Sequence, residues 1–210
     1  MCIRDSLYDG PFADAVLNRK SQLLKNAEHI SRENAREIAA RALGCNISEA
    51  IYSGEDAGNM PCYTFTYSQK TAGITKSGGY VAYVLYGGKI NRFSIDKDNA
   101  INLAQSYLKN IGYKNMANTY YAINNNVCVI NFAYKKDDVT YYSDLIKVGV
   151  SMDNGKIVSL EAQGYLTNHI KRKAFNCKLT KEHAQSKLSK NLKVINSKRC
   201  VIPCLLYTSP

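Results

Sequence analysis

The side chains in this chain that could carry catalysis are His29, His169 and His183, the acids Asp144 and Glu161, and Cys177. His169 follows Glu161 by eight residues (169 minus 161), and a histidine beside a carboxylate could pass protons as a general acid/base pair. The surrounding sequence argues against that use. Glu161 closes a strand-like run, whereas Asn168-His169 opens a linker. His29 precedes a helix cap and His183 falls in the first turn of a lysine-rich helix, so both read as solvated surface groups. Asp137-Asp138 could supply the paired carboxylates of a glycosidase, but the pair sits in a turn-like segment where solvated charge is the simpler reading. No nucleophile elbow, H-E-x-x-H motif or phosphate-cradling glycine loop accompanies any of these residues. The chain reads as a non-enzyme with no cofactor.

The cysteines point the same way. Of seven, Cys2 and Cys204 lie in the terminal stretches MCIRDS and CLLYTSP. Cys45, Cys62, Cys128, Cys177 and Cys200 are scattered, without the close pair that a tetrahedral zinc site requires. Cys62 and Cys128 sit in strand-like runs, where a free thiol acts as a small apolar side chain. Neither a metal site nor a disulfide framework is expected.

Charge is unevenly placed. The net charge is +11, but residues 171–200 hold ten Lys or Arg against Glu182 alone, or +9, which leaves +2 for the rest. A basic helix could engage an acidic polymer through counterion release. A solvated helix face explains the run more simply, and no nucleic-acid partner is expected because no recognised binding fold accompanies the charge. An anionic wall polymer such as peptidoglycan, or a membrane surface, is the alternative partner. No stretch approaches the roughly 18–20 apolar residues of a membrane helix, and no apolar signal core follows Met1.

The elements that would hold these residues are announced by a repeat. ISRENA (30–35), IDKDNA (95–100) and LTKEHA (179–184) each place a small polar residue after an apolar one, with an acid and then Ala at fixed offsets. Ser31, Asp96 and Thr180 are suited to cap a helix, and Glu33, Asp98 and Glu182 put negative charge on its positive end. Ala35, Ile38, Ala39, Ala42 and Leu43 then form an apolar stripe, as do Ala100, Leu103, Ala104, Tyr107 and Leu108. Leu103 and Ala104 are expected to face a sheet. Gly44 and Gly112 suit left-handed C-terminal caps.

Strand-like runs follow each helix. The first set is IYS, CYTFTYS, YVAYVLY and KINRFSI, with Gly87-Gly88 as a hairpin joining the last two. The second is TYYAI, VCVINFAY, DLIKVGVSM and KIVSLEA, with Asn154-Gly155 as the hairpin. The expected fold is α+β: tandem units, each one helix packed on a small, separate antiparallel sheet whose other face is wet and tyrosine-rich. Sixteen Tyr, five Phe and no Trp fit that reading. Residues 30–94 form unit 1 and 95–168 unit 2. Residues 1–29 are a lead-in, and 169–203 are a linker and the opening helix of a truncated third unit. Residues 1–6 and 204–210 are read as translated adapter sequence.

The helix opening, with strands ending in DNGKIVSLEA, resembles the PepSY domain. LYDGPFAD (7–14) and EAQGYLTNH (161–169), in that order around the tandem units, resemble the YpeB family of spore-germination proteins. Within the second motif Tyr165, Asn168 and His169 are the candidate interaction residues. The resemblance implies a non-enzymatic partner of a cortex-lytic hydrolase of the SleB type. It places that partner on the extra-cytoplasmic side of the spore inner membrane or in the cortex. The segment itself is expected to be soluble, with an anchor in a preceding part of the full protein.

Overall fold

A computed structural model of the protein describes residues 21–90, 94–173, 180–189, 191–195 and 197–202. A short helix α1 (Gln22–Lys25) leads into α2 (Arg32–Leu43), followed by a 3-10 turn (Ile47–Glu49). Strands β1 (Ile51–Asp56), β2 (Cys62–Tyr67), β3 (Lys70–Thr75) and β4 (Val81–Tyr86) come next. Helix α3 (Lys97–Asn110) precedes β5 (Met116–Asn124), β6 (Val127–Lys136), β7 (Val139–Ser151) and β8 (Ile157–Glu161). Helices α4 (Gln163–Asn168) and α5 (Lys181–Ser186) and strand β9 (Arg199–Val201) complete the described chain.

Both long helices start where the repeat places them. Ser31 Oγ accepts the Asn34 amide at 3.2 Å, and Asp96 Oδ1 accepts the Asn99 amide at 2.8 Å, each satisfying an orphan donor of the first turn. Thr180 Oγ1 does the same for His183 at the start of α5. Gly44 ends α2 in the left-handed region, at φ 74°. The buried stripe of α2 is Ala35, Ala39, Ala42 and Leu43, and that of α3 is Ala100, Ala104 and Leu108. Leu103 departs from expectation. It is 43% exposed, because the buried line of α3 runs at four-residue steps and leaves Leu103 on its shoulder. There it packs on the β7–β8 turn, so close that a Cβ on Gly155 would lie 2.8 Å from it.

The strand order is β1-β2-β3-β4-β8-β7-β6-β5, with β9 pairing β7 in parallel. The α+β class holds, with each long helix lying on its own meander. The two expected separate sheets, however, are one. β4 and β8 would each be an edge with apolar side chains, and they pair instead: Tyr83 opposite Glu161, Val84 opposite Leu160 and Leu85 opposite Ser159. Joining them removes two exposed edges that would otherwise invite aggregation. Val84, Leu160 and Val148 are matched across the seam and buried, while Tyr83, Glu161 and Lys147 point the other way and stay half-buried or exposed. A single core runs beneath both helices.

β3 was not legible as a strand. Its sequence, KTAGIT, carries little strand propensity, and it pairs on both sides because Gly73 lets the Tyr83 ring lie directly on its backbone. In the run KINRFSI, Lys89, Ile90, Ser94 and Ile95 lie outside any strand, and the Gly87-Gly88 hairpin is not made. Gly87 instead donates to the Gln69 carbonyl, and Ser94 and Ile95 both bond the Met152 carbonyl. Residues 91–93 lie outside the described residues.

Several tyrosines brace the two halves instead of lining a wet face. The Tyr107 hydroxyl of α3 donates to the Ala42 carbonyl of α2 at 2.9 Å, and the Tyr113 hydroxyl to the Val81 carbonyl at 2.7 Å. Burial pushes both phenols above their ordinary pKa. Tyr120 and Tyr121, on the edge strand β5, are the exposed kind that was expected.

Candidate functional site

The clustered titratable groups gather where β8 ends. On one side β7 pairs with β9 at Val139–Tyr141 and with β8 at Lys147–Val150, so the stretch between, Tyr142–Ile146, has no strand partner there among the described residues. On its other side β7 is irregular: Leu145 faces Ala133 and Tyr141 faces Tyr134, so Tyr142, Ser143 and Asp144 have no β6 partner. Such a bulge bends a strand and re-aims its side chains. Here Asp144 turns inward and is fully buried.

Helix α4 closes over it. Gly164 permits the close approach, because a Cβ there would sit 3.0 Å from the Leu145 carbonyl oxygen. Asn168 Nδ2 then donates to the Ser143 carbonyl at 3.0 Å and to the Gly164 carbonyl at 2.9 Å. Ser21, the cap of α1, fastens the far side by donating to the Leu166 carbonyl.

Asp144 is held by three side chains. His169 Nδ1 lies 2.7 Å from Oδ2, and Ser143 Oγ lies 2.6 Å from Oδ1. Arg172 completes the set as a fork, Nη1 to Oδ2 at 2.6 Å and Nη2 to Oδ1 at 2.7 Å. Burial alone would raise the Asp144 carboxyl, but the hydrogen bonds from His169, Arg172 and Ser143 and the Arg172 charge outweigh it. The carboxyl is held below the ordinary aspartate value. An ionised carboxylate can only accept, so Nδ1 of His169 carries the proton.

Aromatic rings enclose the cluster. Tyr165 stacks on His169, with centroids 4.4 Å apart and planes 12° apart, and Tyr134 meets the same imidazole edge-on at 4.6 Å. The Arg172 guanidinium also lies over Tyr141, 4.4 Å from the ring centroid. Burial raises the Tyr165 phenol.

The structure thus brings Tyr165, Asn168 and His169 together, each turned inward onto neighbours. Glu161 does not join His169; it pairs at the surface with Lys147 at 3.5 Å. His29 and His183 are exposed, and Asp137-Asp138 forms a left-handed turn whose Asp138 pairs with Lys135. Cys62 and Cys128 are buried thiols, Cys62 pushed up to about 12 chiefly by burial. Cys177 and LYDGPFAD lie outside the described residues. Among the described residues, no three His, Cys, Asp or Glu side chains form a group able to hold a metal. Arg172 escaped sequence reading because it looks like any cation in its basic run. The available signal was an aspartate at the head of an apolar strand run.

Chemically the cluster is a clamp. Both Asp144 oxygens are spent on internal donors, so the carboxylate has no lone pair directed to a substrate. Its effect is to fasten residues 169–172 to the sheet.

Fold and clamp together define a tandem PepSY-type α+β module, two helix-on-sheet units fused through one sheet. Residues 3–175 match the family model described as YpeB sporulation, PepSY1 and PepSY2 domains, and the chain belongs to that family. It is 28% identical over 172 residues to the sporulation protein YpeB of Halalkalibacterium halodurans, covering 79% of this chain and 38% of that protein. It is 26% identical over 184 residues to the sporulation protein YpeB of Bacillus subtilis, covering 83% and 41%. The chain therefore spans about two-fifths of the length of these curated relatives. The Bacillus megaterium YpeB C-terminal domain superposes with a TM-score of 0.71 at 26% identity, covering 83% of this chain and 81% of that one.

Proposed function

We propose that this chain is a non-enzymatic accessory module of spore germination that stabilises, localises or restrains a cortex-lytic hydrolase of the SleB type. It acts on the extra-cytoplasmic side of the spore inner membrane or in the cortex. The observation that carries this reading is family membership across residues 3–175, whose relatives are named as sporulation proteins. Site geometry supports it. The His169–Asp144 contact that resembles an acid/base pair is locked by Arg172 and shielded by Tyr165, an arrangement suited to rigidity and not to proton exchange with a substrate. Among the described residues β1 and β5 are the outer strands of the sheet, and β5, with exposed Tyr120 and Ile123, offers surface for a protein partner.

The experiment is a pull-down from dormant-spore extract with the full chain as bait, read by mass spectrometry, alongside a peptidoglycan-cleavage assay of the purified chain. The reading expects the cortex-lytic hydrolase to be captured and no cleavage by the chain itself. Cleavage by the chain alone would overturn it.

A further inference from the structure

A cleft of about 620 Å³ lies at the seam of the two units and shares no lining residue with the Asp144 clamp. Its walls come from the last turns of α2 and α3, the β2–β3 turn, the segment after β4 and the β7–β8 hairpin. Each unit supplies part of it, so it exists only because the sheets are joined.

Four cations line it: Arg41, Lys70, Lys89 and Lys156. Among the described residues no carboxylate lines the cleft, and none of the four cations takes part in an ion pair. Lys70 is half-buried and donates to the Leu43 carbonyl at a long 3.4 Å. Burial, and then the like charge of Lys156, depresses its ammonium pKa. Like charges gathered without a counter-ion, one of them partly desolvated, are unfavourable unless an anion joins them.

The rest of the lining decides what kind of anion fits. Half-buried Tyr67 and Tyr86 offer ring surface, while Gln69, Asn110 and Asn154 offer amides that both donate and accept. The strands at the cleft lie inside the sheet, where Tyr86 pairs with Lys70 of β3 and Ile157 with Val150 of β7, and the outer strands β1 and β5 contribute no lining residue. Rings, two-way amides and cations suit a ligand that carries hydroxyls and carboxylates on one backbone.

We infer that this seam cleft binds a carboxylate-bearing oligosaccharide, with Arg41, Lys70, Lys89 and Lys156 taking its charges. The site is independent of any hydrolase partnership and would stand if that reading fell.

The test is calorimetric titration of the full chain at low salt with trigalacturonate, its methyl ester, tetraglutamate and inorganic phosphate. Trigalacturonate should bind, weaken as salt is added, and bind at least tenfold more tightly than the other three. The double variant Lys70→Gln/Lys156→Gln should lose at least tenfold in affinity, and so should Arg41→Gln/Lys89→Gln. Circular dichroism and the urea midpoint check that both variants are folded, and the second keeps the test decisive if the first is not. Absence of trigalacturonate binding, equal binding of the ester, or unchanged binding by a folded variant overturns the inference. Equal binding of tetraglutamate would assign the cleft to acidic peptides, and equal binding of phosphate would mean an adventitious ion only; either overturns the saccharide assignment.

Discussion

Arg172 holds Asp144 across 28 residues of chain, with two guanidinium nitrogens 2.6 and 2.7 Å from the two carboxylate oxygens. The bond fastens the segment after α4 to the bulge of β7. Removing one partner of a buried pair leaves the other charge uncompensated, at a cost of about 3–5 kcal/mol. Arg172→Ala should therefore lower stability by that order. Arg172→Lys should recover little, because an ammonium cannot reproduce the fork. Urea denaturation of the full chain checks this; a loss under about 1 kcal/mol for Arg172→Ala would show that the clamp is not structural.

Acid should release the same clamp. The Asp144 carboxyl is held below its ordinary value in the folded state, so its stabilisation is fully present above the unfolded value of roughly 4. It is lost as pH falls through the lowered folded value. The stability difference between the natural chain and Asp144→Asn should shrink as urea midpoints are taken from about pH 6 to about pH 2. A difference that stays constant over that range would remove the ionised carboxylate from the account.

Much of this fold was legible because its signals are local. Ser31, Asp96 and Thr180 cap helices through bonds spanning three residues, and Asn154-Gly155 turns β7 into β8 without distant help. What escaped depends on register between remote segments. The pairing of Val84 with Leu160 fuses the sheets, and nothing within either strand announces its partner. Asp144 and Arg172 were visible as an acid in a strand run and a cation in a basic tract. Their union required the bulge at Tyr142–Asp144, which exists only against β6. Motif EAQGYLTNH lies between these cases: Tyr165, Asn168 and His169 were singled out together, but their inward orientation comes from Gly164 settling on Leu145.

Helix α3 offers a graded test of packing. Leu108 is 1% exposed, whereas Leu103 is 43% exposed, and Lys109 is exposed. Leu108→Ala should cost about 2–5 kcal/mol, Leu103→Ala clearly less, and Lys109→Ala no more than about 0.5 kcal/mol. Thermal or urea unfolding gives the order. Equal losses at Leu103 and Leu108 would mean that α3 is rotated on its sheet.

The central claim is that the full protein serves a hydrolase and has no cortex-cleaving site of its own. It is tested most directly by measuring cortex-lytic hydrolase abundance and activity in dormant spores of a spore former whose complete gene is deleted, with cortex breakdown followed after germinant is added. The accessory account predicts that the hydrolase is depleted, displaced or misregulated, and that cortex breakdown fails or is mistimed for that reason. Abundant, correctly placed and active hydrolase with cortex breakdown nevertheless abolished would contradict it, and would make the missing protein itself the agent of cleavage.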